Sequence, residues 1–126
     1  MSIIGHGIDL VDVERIGRMR TDHGSHFLDR CFTAAEQAYC LSYKLADEHL
    51  AGRFAAKEAV LKVLGTGWRG QIAWTDMEIL NDPAGKPEVR LTGECLRIAD
   101  ALGIKRWHLS ISHTRTHATA SAIGEQ

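Results

Sequence analysis

Asp9, Arg53, Lys57, Glu58 and Lys62 are the residues of this chain whose types and spacing could do chemistry. Asp9 and Glu58 would make an oxygen-lined site for Mg2+, a hard cation that takes one or two protein carboxylates and completes its shell with water and substrate phosphates. Arg53, Lys57 and Lys62 lie on the same segment as Glu58, and cations beside such a site hold a pyrophosphate and stabilise charge during phosphoryl transfer. The competing reading is a surface ion-pair helix, in which Glu58 and Lys62 contribute about 0.3–0.5 kcal/mol. The residue pattern alone leaves both open.

The element that must position these groups is a long helix predicted from about Ala46 to Leu64, closed by Gly65 and Gly67. In it Leu50, Phe54, Leu61 and Leu64 form the apolar stripe, Lys57 falls inside that stripe, and Glu58 and Lys62 line its edge. Ala51 and Ala55 are expected to leave open space above the charged face. Residues 2 to 12, rich in Ile, Leu and Val, predict a strand that runs into the charged segment from Asp12 to Arg20. On that strand Asp9 shares a face with Gly5 and Gly7, whose missing side chains would let its carboxylate point into open space. The alternative is an aspartate at a strand end that caps the next helix.

Elsewhere Thr33 and Glu36 have the spacing of a capping box, opening a helix through Gln37 and Leu41. Trp74 to Leu80 and Pro87 to Leu91 read as two strands around a turn at Asn81, Asp82, Pro83 and Gly85. Thr92 to Leu102 reads as an amphipathic helix ended by Gly103, and Trp107 to Ser112 and Ala118 to Ile123 read as a closing hairpin. Strands at both ends with helices between them predict an α+β domain, a mainly antiparallel sheet packed on the long helix.

At 126 residues, 44% hydrophobic and with two prolines, the chain has one core's worth of material, so residues 1–126 are taken as a single domain. A net charge of −1 argues against polyelectrolyte binding of nucleic acid or membrane, so a charged partner must meet a local patch. The three cysteines, Cys31, Cys40 and Cys95, form no CxxC pair, which fits a reducing compartment. With no leader-like N-terminus and no run of transmembrane length, a cytoplasmic location is expected. His113 and His117 have an HxxxH spacing, and His23 and His26 flank Gly24, but a turn separates the first pair and a polar segment holds the second, so neither is expected to bind metal. Ser110, Ser112 and His113 lack both a GxSxG elbow and an acid partner, so a nucleophile and base assignment is not favoured.

Taken together, GIDLVDVERI at 7 to 16, AGRFAAKEAVLK at 51 to 62 with GTG at 65 to 67, WTDMEI at 74 to 79, GKP at 85 to 87 and LSISHT at 109 to 114 resemble the holo-acyl-carrier-protein synthases. These form the short, stand-alone bacterial branch of the 4′-phosphopantetheinyl transferases. The resemblance covers nearly the whole chain and implies that family's fold. It also implies Mg2+-dependent transfer of 4′-phosphopantetheine from coenzyme A to a serine of apo-acyl carrier protein, releasing adenosine 3′,5′-bisphosphate, in support of fatty acid biosynthesis. In that likeness Asp9 and Glu58 match metal-binding positions, and Lys62 matches the lysine beside the pyrophosphate. Arg53 and Lys57 match coenzyme-A-side positions, and Ser112 and His113 match the segment that closes over the nucleotide. Whether Glu58 or a metal-bound water takes the serine proton stays open. Arg15, with Met19 as its apolar companion, matches the carrier-docking surface, to which Arg18, Arg20 and Arg30 could add. Asp22 and the segment HGSH at 23 to 26 depart from more basic relatives. The resemblance further implies a homotrimer with active sites at subunit boundaries.

Overall fold

The computed structural model describes residues 2–67 and 70–126. Its first strand, β1 (Ile3–Asp12), runs directly into α1 (Val13–His23), with Asp12 at the N-cap position but making no side-chain capping bond. Asp9 therefore is not the cap of that helix. Gly24, at φ +53°, turns the chain into α2 (Ser25–Cys31), a helix where the sequence reading placed only a polar segment. Its signal was present: Phe27 and Cys31, both buried, are one helical turn apart.

α3 (Ala34–Leu41) opens on the predicted capping box. The Thr33 amide donates to Glu36 Oε1 at 2.9 Å, and the Glu36 amide donates to Thr33 Oγ1 at 3.3 Å. The Thr33 hydroxyl also donates to Glu78 Oε2 at 2.6 Å, so the cap ties α3 to the strand that carries Glu78. Thr33→Ala removes both hydroxyl interactions, and a loss of about 1–2 kcal/mol is expected in urea unfolding.

α4 (Ala46–Leu64) has the predicted limits and ends at Gly65, whose φ of +76° lets its amide reach the carbonyls of Leu61 and Lys62. Its surroundings differ from a one-striped helix. The chain wraps it on nearly every side, and Ala51, Ala55, Ala56 and Ala59 are fully buried. Ala51 and Ala55 do not open space for a ligand, since both are fully buried in the core. A short helical turn, Trp74–Asp76, replaces the start of the predicted strand because the Asp76 carboxylate accepts the Ala73 amide and folds the chain back. β2 (Met77–Asn81) follows and pairs antiparallel with β3 (Pro87–Leu91), placing Asn81 opposite Pro87. α5 (Gly93–Leu102) ends at Gly103 as predicted.

β4 (Arg106–His113) and β5 (His117–Glu125) form the closing hairpin, and β5 lies between β1 and β4. The strands thus form two antiparallel sheets, of three and two strands, rather than one. The inner face of the larger sheet, through Val11, Leu109, Ala118, Ala120 and Ala122, buries against α4. The outer face of β1 leaves Ile3, Ile8 and Leu10 64%, 59% and 66% exposed, which is unusual alternation for a strand facing only water.

Candidate functional site

The position of Asp9 is set by the glycines before it, though not as the sequence suggested. A Cβ on Gly7 would stand 2.0 Å from the Ala59 carbonyl oxygen, and one on Gly5 would stand 3.0 Å from that of Val63. The glycine face of β1 is pressed onto α4, and Asp9, two residues on, is delivered to the rim of that contact. There Lys62 Nζ donates to the Ile8 carbonyl at 2.7 Å and lies 3.5 Å from Asp9 Oδ1. Thr119 Oγ1 donates to the Asp9 carbonyl at 2.8 Å and holds that stretch of β1 from the β5 side. Half-buried Glu58 projects one turn before Lys62. Burial and then the Asp9 carboxylate push its pKa above the ordinary glutamate value, while Lys62 and Arg15 oppose that shift. Two carboxylates that repel each other, with a lysine beside them, have the donor chemistry that could hold a hard cation with an anion at its edge.

Arg53 and His113 meet elsewhere. Arg53 precedes Glu58 by five residues, which places them roughly 140° apart around α4. Its side chain is 5% exposed, donates to Asn81 Oδ1, and lies over the Tyr39 ring at 4.2 Å, while its Nε has no partner among the described residues. Together with Tyr39, His49, Gly85, Pro87 and His113 it lines a cleft of about 150 Å³. His113 is held by a 3.0 Å contact from Nδ1 to Glu48 Oε1. His49 stacks on Tyr43 at 3.8 Å, and burial, with His113 next, depresses its pKa and favours the neutral ring. A buried guanidinium with an orphaned donor, beside aromatic rings, suits an anionic ligand with a planar base. Ser112 sits one residue from His113 and therefore on the opposite, outer face of β4.

Lys57 overturns its expected place. It is fully buried, and its ammonium donates to the carbonyl of Cys31 at 2.7 Å, to Glu36 Oε1 at 2.7 Å and to the carbonyl of Trp74 at 3.2 Å. Burial lowers its pKa and Glu36 opposes the shift. With its donors satisfied inside the chain, it is withdrawn from any coenzyme A side. Its partner Glu36, read from sequence only as half of a capping box, accepts the Ile79 amide at 2.9 Å as well.

Arg15 and Met19, one turn apart on α1, line a third feature, a cavity of about 320 Å³ whose walls include Phe27, Cys31, Phe54 and Trp74. His23 and His26 stand at its edge, so the HGSH segment belongs to this surface. Arg18 and Arg20 are engaged with Glu14 and Asp47. His117 pairs with Asp12 at 3.0 Å, away from the Glu48 partner of His113, so the HxxxH pair diverges. Among the described residues no group of three or more His, Cys, Asp or Glu gathers as a metal cage.

Residues 5–121 match the model of the 4'-phosphopantetheinyl transferase superfamily. The chain belongs to this superfamily. Within the superfamily, it is 46% identical over 123 residues to the holo-[acyl-carrier-protein] synthase of Koribacter versatilis (strain Ellin345), a match covering 98% of each chain. Its fold is that of the Neisseria meningitidis holo-[acyl-carrier-protein] synthase, with a TM-score of 0.89 at 35% identity over 99% of this chain and all of the other. The Helicobacter pylori holo-[acyl-carrier-protein] synthase, whose structure is a complex with coenzyme A, aligns with a TM-score of 0.84 at 29% identity, covering 95% of this chain and 99% of that one. The superfamily fold and the α+β reading thus agree, and the three features on and around α4 are this member's surfaces of interest.

Proposed function

We propose that this chain is a holo-acyl-carrier-protein synthase that transfers 4′-phosphopantetheine from coenzyme A to a serine of an apo-acyl carrier protein, releasing adenosine 3′,5′-bisphosphate. The observation that carries this reading is the convergence of Asp9, Glu58 and Lys62 where β1 is pressed onto α4. The two carboxylates fit Mg2+: burial first and then Asp9 disfavour the charged form of Glu58, and a bound cation would offset both. When bound, Mg2+ would supply Lewis-acid stabilisation to phosphate oxygens. Lys62, anchored at the Ile8 carbonyl and half-exposed, neutralises charge on the departing phosphate. Arg53 and His113, in their separate cleft, take the nucleotide end, and Arg15 with Met19 receives the carrier.

The separation of the Asp9–Glu58 cluster from the Arg53–His113 cleft around α4 supports a closed homotrimer in this reading. One copy would supply the carboxylates and Lys62, and its neighbour the nucleotide cleft together with the outward Ser112. The exposed Ile3, Ile8 and Leu10 on the outer sheet face are the surface such an assembly would cover. A cytoplasmic location belongs to the same proposal; the three cysteines are free and buried, and among the described residues no helix is long and apolar enough to cross a membrane.

The test is direct. Incubated with coenzyme A, Mg2+ and an apo-acyl carrier protein, the chain should add one phosphopantetheine mass to the carrier by intact mass spectrometry, and a chelator should abolish the addition. Coenzyme A breakdown without carrier labelling would instead identify a hydrolase, and binding without either reaction a non-catalytic module. Labelling that survives the chelator would remove Mg2+ from the mechanism.

A further inference from the structure

Lys57 and Glu36 form an ion pair with both side chains fully buried. Burying two charges costs several kcal/mol per ion before their attraction offsets it, and apolar residues of similar volume often serve stability as well. What apolar residues would not supply is geometry. The three acceptors of the Lys57 ammonium lie on three different elements. The Cys31 carbonyl is at the C-terminal end of α2, where helix carbonyls lack intrahelical donors and carry the negative end of the dipole. The Trp74 carbonyl opens the short helical turn, and Glu36 lies in the first turn of α3 and reaches on to the Ile79 amide of β2. The ammonium also stands 5.3 Å from the centre of the Phe32 ring.

Two of these anchored residues, Cys31 and Trp74, are walls of the cavity beside Arg15 and Met19. A third wall, Phe54, is on α4 one turn before Lys57, and its ring lies 4.9 Å from that of Trp74. One ammonium therefore fixes α2 and the Trp74–Asp76 turn against α4, on three sides of one cavity. The Arg53–His113 cleft takes none of its lining from Cys31 or Trp74.

We propose that Lys57 is a positioning residue for the carrier: its ammonium holds α2 and the Trp74–Asp76 turn at the separation that shapes the docking cavity beside Arg15 and Met19. The inference rests on the transferase reading, and it moves Lys57 from the coenzyme A side of the reaction to the acceptor side without giving it contact with either substrate.

The decisive experiment is the steady-state kinetics of Lys57→Met combined with Glu36→Gln, a pairing that avoids leaving a buried charge alone. The KM for apo-carrier should rise by about tenfold, while kcat and the KM for coenzyme A stay within about twofold. Glu36→Gln alone, which keeps the bonds to Cys31 and Trp74, should raise the carrier KM less. A lower melting temperature with both KM values unchanged would reduce the pair to a core staple and overturn the proposal. A raised KM for coenzyme A with an unchanged carrier KM would also overturn it and return Lys57 to the nucleotide side. Hydrogen exchange of the wild-type chain decides the matter even if the double variant fails to fold. Amides of α2 and of the Trp74–Asp76 turn should open as one unit, and independent opening of α2 would sink the idea. Failure of the underlying transferase reading is distinct, because the wild-type chain would then label no carrier at all.

Discussion

Glu58→Gln should lower carrier labelling by about a thousandfold while leaving the fold intact. Among the described residues the Glu58 carboxylate accepts no side-chain hydrogen bond, and the charges around it act through space. Its position also costs stability. An acid whose folded pKa lies above its ordinary value, here near 4.5, weakens the folded state as pH rises through the window between the two. At neutral pH, in the presence of chelator, the glutamine variant should therefore melt no lower than the wild type and somewhat higher. Below the ordinary value both proteins carry an uncharged side chain there and the difference should vanish. Gain of stability with loss of turnover is the pattern of a group kept for chemistry. A variant that keeps its turnover would place the reaction elsewhere, and one that melts markedly lower would make Glu58 a structural residue.

The same residue shows what the sequence could and could not convey. Helix periodicity put Glu58 and Lys62 on one edge of α4, and the structure keeps them there because that spacing is local to the helix. The capping box at Thr33 and Glu36, the stop at Gly65 and the closing hairpin were legible for the same reason, each being set by neighbours in the chain. Lys57 was misjudged because its partners are distant in sequence. Glu36 is 21 residues away and Cys31 is 26, and no periodicity announces that a lysine inside an apolar stripe has a buried carboxylate waiting for it. The alanines of α4 erred in the same direction. A small side chain on a helix can mean room for a ligand or room for a backbone, and only the arrangement of β1, β5 and α1 around the helix decides which.

Because Arg53 and Glu58 diverge around α4, the resemblance grouped onto one segment residues that a single chain separates. Spacing along a sequence reports the angle between side chains, and here that angle points the Arg53–His113 cleft and the Asp9–Glu58 carboxylates to different sides of the helix.

Gly7→Ala is the substitution expected to damage this architecture most. The added Cβ would meet the Ala59 carbonyl oxygen at 2.0 Å and Lys62 Cβ at 2.9 Å, inside any distance that a methyl group tolerates. The obstacle is helix backbone, so no rotamer change relieves it, and β1 must lift from α4. A stability loss of about 3 kcal/mol is expected, read as a fall of roughly 10 °C in melting temperature. Adding Ala59→Gly should not rescue the protein, because the clash is with a carbonyl that glycine retains. The functional loss should exceed the fraction unfolded. Lifting β1 draws the Ile8 carbonyl away from Lys62 and carries Asp9 away from Glu58, so molecules that remain folded lose the site that the close approach created. Labelling measured well below the melting transition, and normalised to folded protein by circular dichroism, should still fall by about a hundredfold. If activity per folded molecule were unchanged, the seating of β1 on α4 would matter for stability alone, and the glycine would have no part in placing Asp9.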